Sequence, residues 1–245
     1  MQQAFFEIEE QSRLTDSVYR MVLRGDTSGV RAPGQFVNIR IEGTFLRRPI
    51  SVCDCEPDRL TLIYKVVGKG TAILKDLPVS SKLDILTGLG NGYDLTPAGD
   101  TPLLIGGGVG VPPLYLLCKR LIARGARPTV ILGFNTAGEI FYEKEFRSLG
   151  ADVTVTTVDG SYGTKGFVTA AMDGIPCSYF YTCGPLPMLK SVYRGTTVSG
   201  QFSLEERMGC GFGACMGCTC HTNSGDKRVC REGPVFTKED LPWED

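Results

Sequence analysis

Leu103-Leu104-Ile105-Gly106-Gly107-Gly108-Val109-Gly110-Val111-Pro112-Pro113 is an apolar run that gives way to glycine and restarts at a pair of prolines. Three aliphatic residues in a row suit a buried strand. Beyond the prolines, Leu114, Leu117, Cys118, Leu121 and Ile122 recur at helical spacing. The stretch therefore predicts strand, tight turn, helix. Glycine lets a backbone approach a pyrophosphate closely. Proline is tolerated in a first helical turn because its missing N–H would have no partner there. A helix start presents free amides and a positive dipole end to phosphate. A strand-to-helix turn with no ligand reads the same way. Nor is the pattern the dinucleotide fingerprint G-x-G-x-x-G, since Pro113 stands where its third glycine would be.

The same rhythm continues downstream. Residues 129–133 read as a strand, 143–149 as a helix, and 153–157 and 179–182 as further strands. Alternating strands and helices imply a parallel sheet. Cofactors bind at the carboxyl ends of such strands, and Thr182-Cys183-Gly184-Pro185 closes the last of them. Cys183 reads either as a residue beside a bound nicotinamide or as a small buried residue before a turn.

Upstream, residues 5–9, 19–23, 36–41, 60–67 and 82–86 are short strand-like runs, punctuated by Pro33-Gly34, Pro57-Asp58 and Gly88. That pattern predicts a small antiparallel barrel. Within it, Leu46-Arg47-Arg48-Pro49-Ile50-Ser51-Val52 carries an arginine pair, whose forked donors suit phosphate, and a serine able to donate to a flavin edge. Taken alone, these residues read equally as a solvated sheet edge.

The C-terminal stretch is dominated by cysteine and glycine. Cys210, Cys215, Cys218 and Cys230 are spaced C-x4-C-x2-C-x11-C. The first two intervals match the plant-type [2Fe–2S] run. Gly209, Gly211, Gly213 and Gly217 let backbone wrap an inorganic core with amides free to face sulfur. A segment so poor in aliphatic residues cannot fold alone, and a bound cluster would supply the missing stability. Structural zinc is the competing reading. Zinc sites favour paired C-x2-C knuckles, and only Cys215/Cys218 has that spacing. The expected organisation is multidomain: an antiparallel β-barrel over residues 1–98, an α/β parallel-sheet nucleotide-binding domain over 99–198, and a small cluster domain over 199–245.

Composition narrows the chemistry. The 245 residues are 42% hydrophobic, enough for two cores. A net charge of −1 without like-charge blocks offers nothing to nucleic acid or an anionic membrane. There is one histidine, His221, so a catalytic triad, a multi-histidine metal centre and a two-histidine Rieske cluster all lack ligands. His221 itself reads as a surface residue. The N-terminus has neither a basic nor an apolar signal region. The uncharged run 101–118 is broken by glycine and proline and falls short of the ~20 residues of a spanning helix. A cytoplasmic protein is expected, its ten cysteines serving as ligands and free thiols rather than disulfides.

Three features in order, Arg48-Pro49-Ile50-Ser51 in a barrel, Gly108-x-Gly110-x-x-Pro113, and Cys183-Gly184-Pro185, resemble the ferredoxin-NADP reductase superfamily. Pro33-Gly34-Gln35-Phe36 is similar to a recurring barrel strand of that group. Met208-Gly209-Cys210-Gly211 through Cys218, followed by 229–236 around Cys230, resembles the electron-transfer subunits of class 1B dihydroorotate dehydrogenase, as do Asp159-Gly160-Ser161-Tyr162-Gly163 and Gly88-Leu89-Gly90-Asn91-Gly92.

The resemblance covers essentially the whole chain. It implies FAD held by Arg48, Pro49, Ile50 and Ser51, with Ile63, Tyr64 and Lys65 along the flavin or its ribityl chain and Gly70 and Thr71 at the pyrophosphate. It implies NAD facing Gly106, Gly107, Gly108, Gly110, Cys183 and Gly184. It implies [2Fe–2S] on Cys210, Cys215, Cys218 and Cys230, although Cys220 lies close enough in sequence to compete. No arginine or lysine occurs in 134–139 to meet a 2′-phosphate, and Glu139 can accept from a ribose hydroxyl, which favours NAD over NADP. The implied role is a reductase subunit. It would take electrons from an FMN-containing dihydroorotate dehydrogenase catalytic subunit, in a heterotetramer of two copies of each chain. Hydrogenase, sulfite reductase and ferredoxin:NADP oxidoreductase complexes are the alternative settings.

Overall fold

The computed structural model describes residues 1–243; the last two residues of the expected 199–245 segment lie outside the described residues. Six strands come first: β1 (Gln2–Arg13), β2 (Val18–Arg24), β3 (Phe36–Ile39), β4 (Arg48–Glu56), β5 (Arg59–Lys65) and β6 (Lys82–Leu89). They close into an antiparallel barrel in the order β1-β2-β5-β4-β3-β6. Its interior follows from period-two patterning: β6 alternates an outward Lys82, Asp84 and Leu86 with an inward Leu83, Ile85 and Thr87. The inward set packs with Phe6, Ile8, Met21, Leu23, Val37, Ile39, Leu60 and Leu62. A short helix, α1 (Lys69–Lys75), interrupts the otherwise all-β region.

A seven-stranded sheet follows. Its strands are β7 (Leu103–Gly107), β8 (Thr129–Phe134), β9 (Asp152–Thr157), β10 (Thr164–Lys165), β11 (Phe180–Cys183), β12 (Gly200–Ser203) and, from much later in the chain, Val235–Thr237. Helices α2 (Pro112–Ala123), α3 (Glu143–Ser148) and α4 (Leu186–Gly195) connect them. The two strands between, β13 (Thr219–Thr222) and β14 (Gly225–Arg228), form a separate hairpin, so Val235–Thr237 is β15. The sheet order is β10-β9-β8-β7-β11-β12-β15, parallel except for the last pair. The chain leaves β7 for β8 on one side and returns to β11 on the other. The strand order therefore reverses at β7 and β11, a topological switch point at whose carboxyl ends open α/β sheets bind ligands.

Two strands from the cysteine-rich segment, β12 and β15, extend this sheet, so that segment is built into its neighbour. Phe36 and Leu89 of the barrel, Phe180 and Phe202 of the sheet, and Cys218, Val229 and Cys230 all share one buried core. A second core joins Val18, Cys53, Ile63 and Tyr93 to Leu114, Leu117 and Tyr181. Across the junction Tyr93 Oη donates to the Thr182 carbonyl (3.1 Å), and Lys119 of α2 pairs with Asp54 of β4 (2.9 Å). Among the described residues no helix is long and apolar enough to cross a membrane.

Candidate redox centre and nucleotide crevice

The four cysteines of the C-x4-C-x2-C-x11-C run come together as two linked pairs. The amides of Ala214 and Cys215 donate to Cys210 Sγ at 3.2 and 3.4 Å, and the Cys210 amide donates to Cys215 Sγ at 3.4 Å. Twelve residues apart, the Cys230 amide donates to Cys218 Sγ at 3.4 Å. The second pair is buried and the first more open. Burial opposes ionisation of Cys210, but the amides of Phe212, Cys215 and Ala214 outweigh it and bring the thiol down to about 6. Burial, together with the neighbouring Cys218 and Cys210 sulfurs, pushes Cys230 up to about 12. Among the described residues no group of three or more His, Cys, Asp or Glu side chains is drawn together into a metal-holding set. Two pairs suit two irons with two thiolates each, and amides aimed at sulfur are the outer contacts such a cluster uses. The donor set fits [2Fe–2S]. Cys220, half-buried in β13, makes none of these four sulfur–amide bonds. His221 is exposed and hydrogen-bonds Asp226 across the hairpin (3.0 Å).

An ion pair braces this centre. Arg228 donates from Nη1 to the Gly213 carbonyl (2.6 Å) and from Nε to Glu232 (3.0 Å), while Glu232 also accepts from the Arg228 amide (2.8 Å). The guanidinium ties the loop of the first cysteine pair to the strand end that carries Cys230. It also holds the Glu232 carboxyl down to about 2.

The barrel strand β4 lies alongside. Its Pro49 and Ser51 stand opposite Asn38 and Phe36 of β3. Val37 and Ile39 fill the barrel, so Phe36 and Asn38 point the other way, toward the cysteine segment. Ile50 packs on the barrel core. The Arg48 side chain reaches the start of α1 and covers Gly70 so closely that a Cβ there would collide with its guanidinium. Thr71 Oγ1 accepts from the amides of Val67 and Gly68 (3.0 and 3.3 Å), pinning the same turn. Arginine, glycine and threonine thus meet in one turn, a donor set fitted to a pyrophosphate. Ile63 and Tyr64 turn their side chains into the two cores and are 3% and 2% exposed, so what they can offer a ligand is backbone; Lys65 is exposed.

At the switch point, Gly106 of β7 pairs with Cys183 of β11. A single 3-10 turn (Gly108–Gly110) carries the chain into α2. Gly110 presses on the Cys183 carbonyl and Gly184, and any side chain there would strike that backbone. Gly107 faces Met188 of α4 in the same way. Cys183 is half-buried beside Ser203, and desolvation pushes its thiol up to about 12, so it is a neutral thiol. At the end of β8, Glu139 accepts from the amide and side chain of Asn135 (3.2 and 2.8 Å), which fixes a carboxylate at the edge of the crevice.

Sequence reasoning passed over Asn38, Arg228 and Glu232. Asn38 has no signal of its own, because its partner Cys210 is 172 residues away. The Arg228–Glu232 pair has one: two opposite charges four apart, flanking a cysteine.

Comparison with known proteins agrees with this geometry. Residues 205–242 match the iron-sulfur cluster binding domain of dihydroorotate dehydrogenase B, and residues 104–194 match the oxidoreductase NAD-binding domain. The chain is 44% identical over 252 residues to the dihydroorotate dehydrogenase B (NAD(+)) electron transfer subunit of Bacillus mycoides (strain KBAB4), covering 96% of this chain and 97% of that one. It is 42% identical over 253 residues to the subunit of the same name from Fusobacterium nucleatum subsp. nucleatum, covering 97% of each. Among solved structures, a chain of an NADH-dependent reduced ferredoxin-NADP oxidoreductase superimposes with a TM-score of 0.88 at 31% identity, over 98% of this chain and 90% of that one. A flavohemoglobin from Malassezia yamatoensis, at 20% identity and a TM-score of 0.68 over 80% of this chain and 56% of that one, shares the fold. A barrel, a switch-point crevice and paired cysteines, matched over nearly its full length, make this chain a member of the family of dihydroorotate dehydrogenase B (NAD(+)) electron transfer subunits.

Proposed function

We propose that this chain receives single electrons at its cysteine segment from an FMN-containing dihydroorotate dehydrogenase catalytic subunit and delivers them in pairs, as hydride, to NAD+. FAD and [2Fe–2S], when bound, supply the exchange between one- and two-electron chemistry that no side chain provides. In this reading Cys210, Cys215, Cys218 and Cys230 hold the cluster. Arg48, Gly70 and Thr71 hold the FAD pyrophosphate. Pro49, Ile50, Ser51 and the backbone of residues 63–65 border the flavin. Gly106, Gly107, Gly108, Gly110, Cys183 and Gly184 line the nicotinamide crevice, with Glu139 at the ribose end. A neutral Cys183 adds no charge where hydride arrives. The carrying observation is adjacency: Phe36, paired directly with Ser51, shares its buried core with Cys218 and Cys230.

The assembly is a heterotetramer of two copies of each chain, in the cytoplasm, where the cysteines outside the cluster run persist as free thiols. Nothing in the sequence resembles a pyrimidine site. The isolated chain, loaded with flavin and cluster, therefore reduces artificial acceptors with NADH but does not oxidise dihydroorotate. Failure of the first activity in a fully loaded sample contradicts the reading.

One observation favours a second setting: the close superposition on a chain of an NADH-dependent reduced ferredoxin-NADP oxidoreductase. Co-purification decides between them, since only one setting brings down an FMN-bearing chain that turns over dihydroorotate.

A further inference from the structure

Asn38 is 1% exposed, and the two arms of its amide have different fates. Nδ2 donates to the Cys210 carbonyl at 3.0 Å, crossing from the barrel to the first cysteine of the cluster run. Oδ1 is buried and, among the described residues, has no hydrogen-bond partner. Its backbone is held as well: Arg47 donates to the Asn38 carbonyl (3.3 Å) while pairing with Asp84 (2.9 Å). The cluster loop is shaped to meet it. Gly211, next to Cys210, sits at φ +77°, and any Cβ there would collide with Asn38 Nδ2. In β3 the residue stands opposite Pro49, inside the stretch read above as the flavin strand, and its side chain leaves the barrel on the face that Pro49 shares.

We infer that Asn38 is the positioning residue that sets the spacing between the cysteine loop and the flavin-side face of the barrel, and with it the rate at which single electrons cross between them. Its donor arm fixes the loop. Each crossing moves one electron, with no bond made or broken at Asn38, and the two electrons of one hydride require two crossings. NADH, the reductant of the proposed function, supplies them in the test. The inference rests on the assignment of β4 to the flavin.

The experiment mixes the complete chain, loaded with flavin and cluster, with NADH under anaerobic conditions. Flavin bleaching is followed by absorbance. The reduced cluster is followed by freeze-quenched electron paramagnetic resonance, with iron content and the cluster midpoint potential measured alongside. In Asn38→Leu, bleaching proceeds at the wild-type rate, and cluster reduction slows severalfold, because electron tunnelling falls off exponentially with separation. The midpoint stays unchanged. Asn38→His, still able to donate to Cys210, recovers most of the rate. Should Asn38→Leu lose its iron, Gly211→Ala applies the same displacement from the opposite side and gives the same slowing. Cluster reduction at the wild-type rate in these variants overturns the inference. So does slowing accompanied by a shifted midpoint, which would be an effect on driving force, and so does loss of iron from both variants, which would make the seam a cluster holder rather than a spacer. If NADH fails to bleach the wild-type flavin, the proposed function falls instead, and that failure is seen before any variant is compared.

Discussion

At the scale of single residues, charge beside the cysteines is the main lever on the centre. The Arg228 guanidinium lies near the Cys218 and Cys230 sulfurs and is partly neutralised by Glu232. A reduced cluster carries one more negative charge than an oxidised one, so a nearby cation raises its midpoint. Arg228→Gln removes that cation and leaves Glu232 unpaired. The expected result is a midpoint lowered by about 50 mV, close to a tenfold change in a one-electron equilibrium. Glu232→Gln shifts it upward. A redox titration followed by electron paramagnetic resonance reads both signs.

The cysteines separate by burial. Cys215 is exposed and Cys230 is 2% exposed within a shared core. Cys215→Ser and Cys230→Ser each lose iron. Only Cys230→Ser also destabilises the flavin-loaded chain, by about 1–3 kcal/mol for a polar group left in an apolar site, measured by denaturant unfolding.

At the scale of elements, legibility in the sequence followed periodicity. The alternation in β6 and the helical spacing in α2 were readable because each runs for two turns or more of its own repeat. Helix α1 was not, since it has seven residues and opens at Gly68 and Gly70. Strands β12 and β15, of four and three residues, are too short to show a period and owe their conformation to the sheet they extend. The cysteine run was legible from its first two intervals, whereas the choice of Cys230 over Cys220 came from the resemblance around it; the structure pairs Cys210 with Cys215 and Cys218 with Cys230. Asn38 was not, because a contact spanning 172 residues leaves no local trace.

Elements also carry the acid sensitivity of the barrel. Asp84 of β6 is partly buried. Burial alone would raise its carboxyl, but hydrogen bonds from Arg47 and Gln3 and the charge of Arg40 hold it below the usual carboxylate range. A depressed folded pKa stabilises above the ordinary Asp value of about 3.9 and loses that contribution as pH falls through the lower folded value. Asp84→Asn therefore costs about 1–3 kcal/mol at neutral pH and flattens the pH dependence of stability below about pH 4. Thermal unfolding across that range tests it, and parallel curves for variant and wild type would contradict it.

At the scale of the whole molecule, the barrel, sheet and cysteine segment are joined by shared cores rather than by linkers. Asn91 makes the junction explicit. Following β6, it donates from Nδ2 to the carbonyls of Glu232 and Val235 (3.0 and 2.8 Å) and accepts from the Val235 amide (3.2 Å). Barrel and cluster segment are thereby tied by side-chain hydrogen bonds that include Asn38–Cys210, Asn91–Val235 and Asp94–Gln201. A redox chain needs this rigidity, because single-electron transfer depends on fixed separations. The most direct measurement is made on the complex purified anaerobically through a tag on this chain: the appearance of NADH from NAD+ on addition of dihydroorotate. The account predicts NADH formation that disappears when the partner is stripped away and returns when it is restored. A preparation carrying flavin, cluster and partner in full that forms no NADH would contradict it.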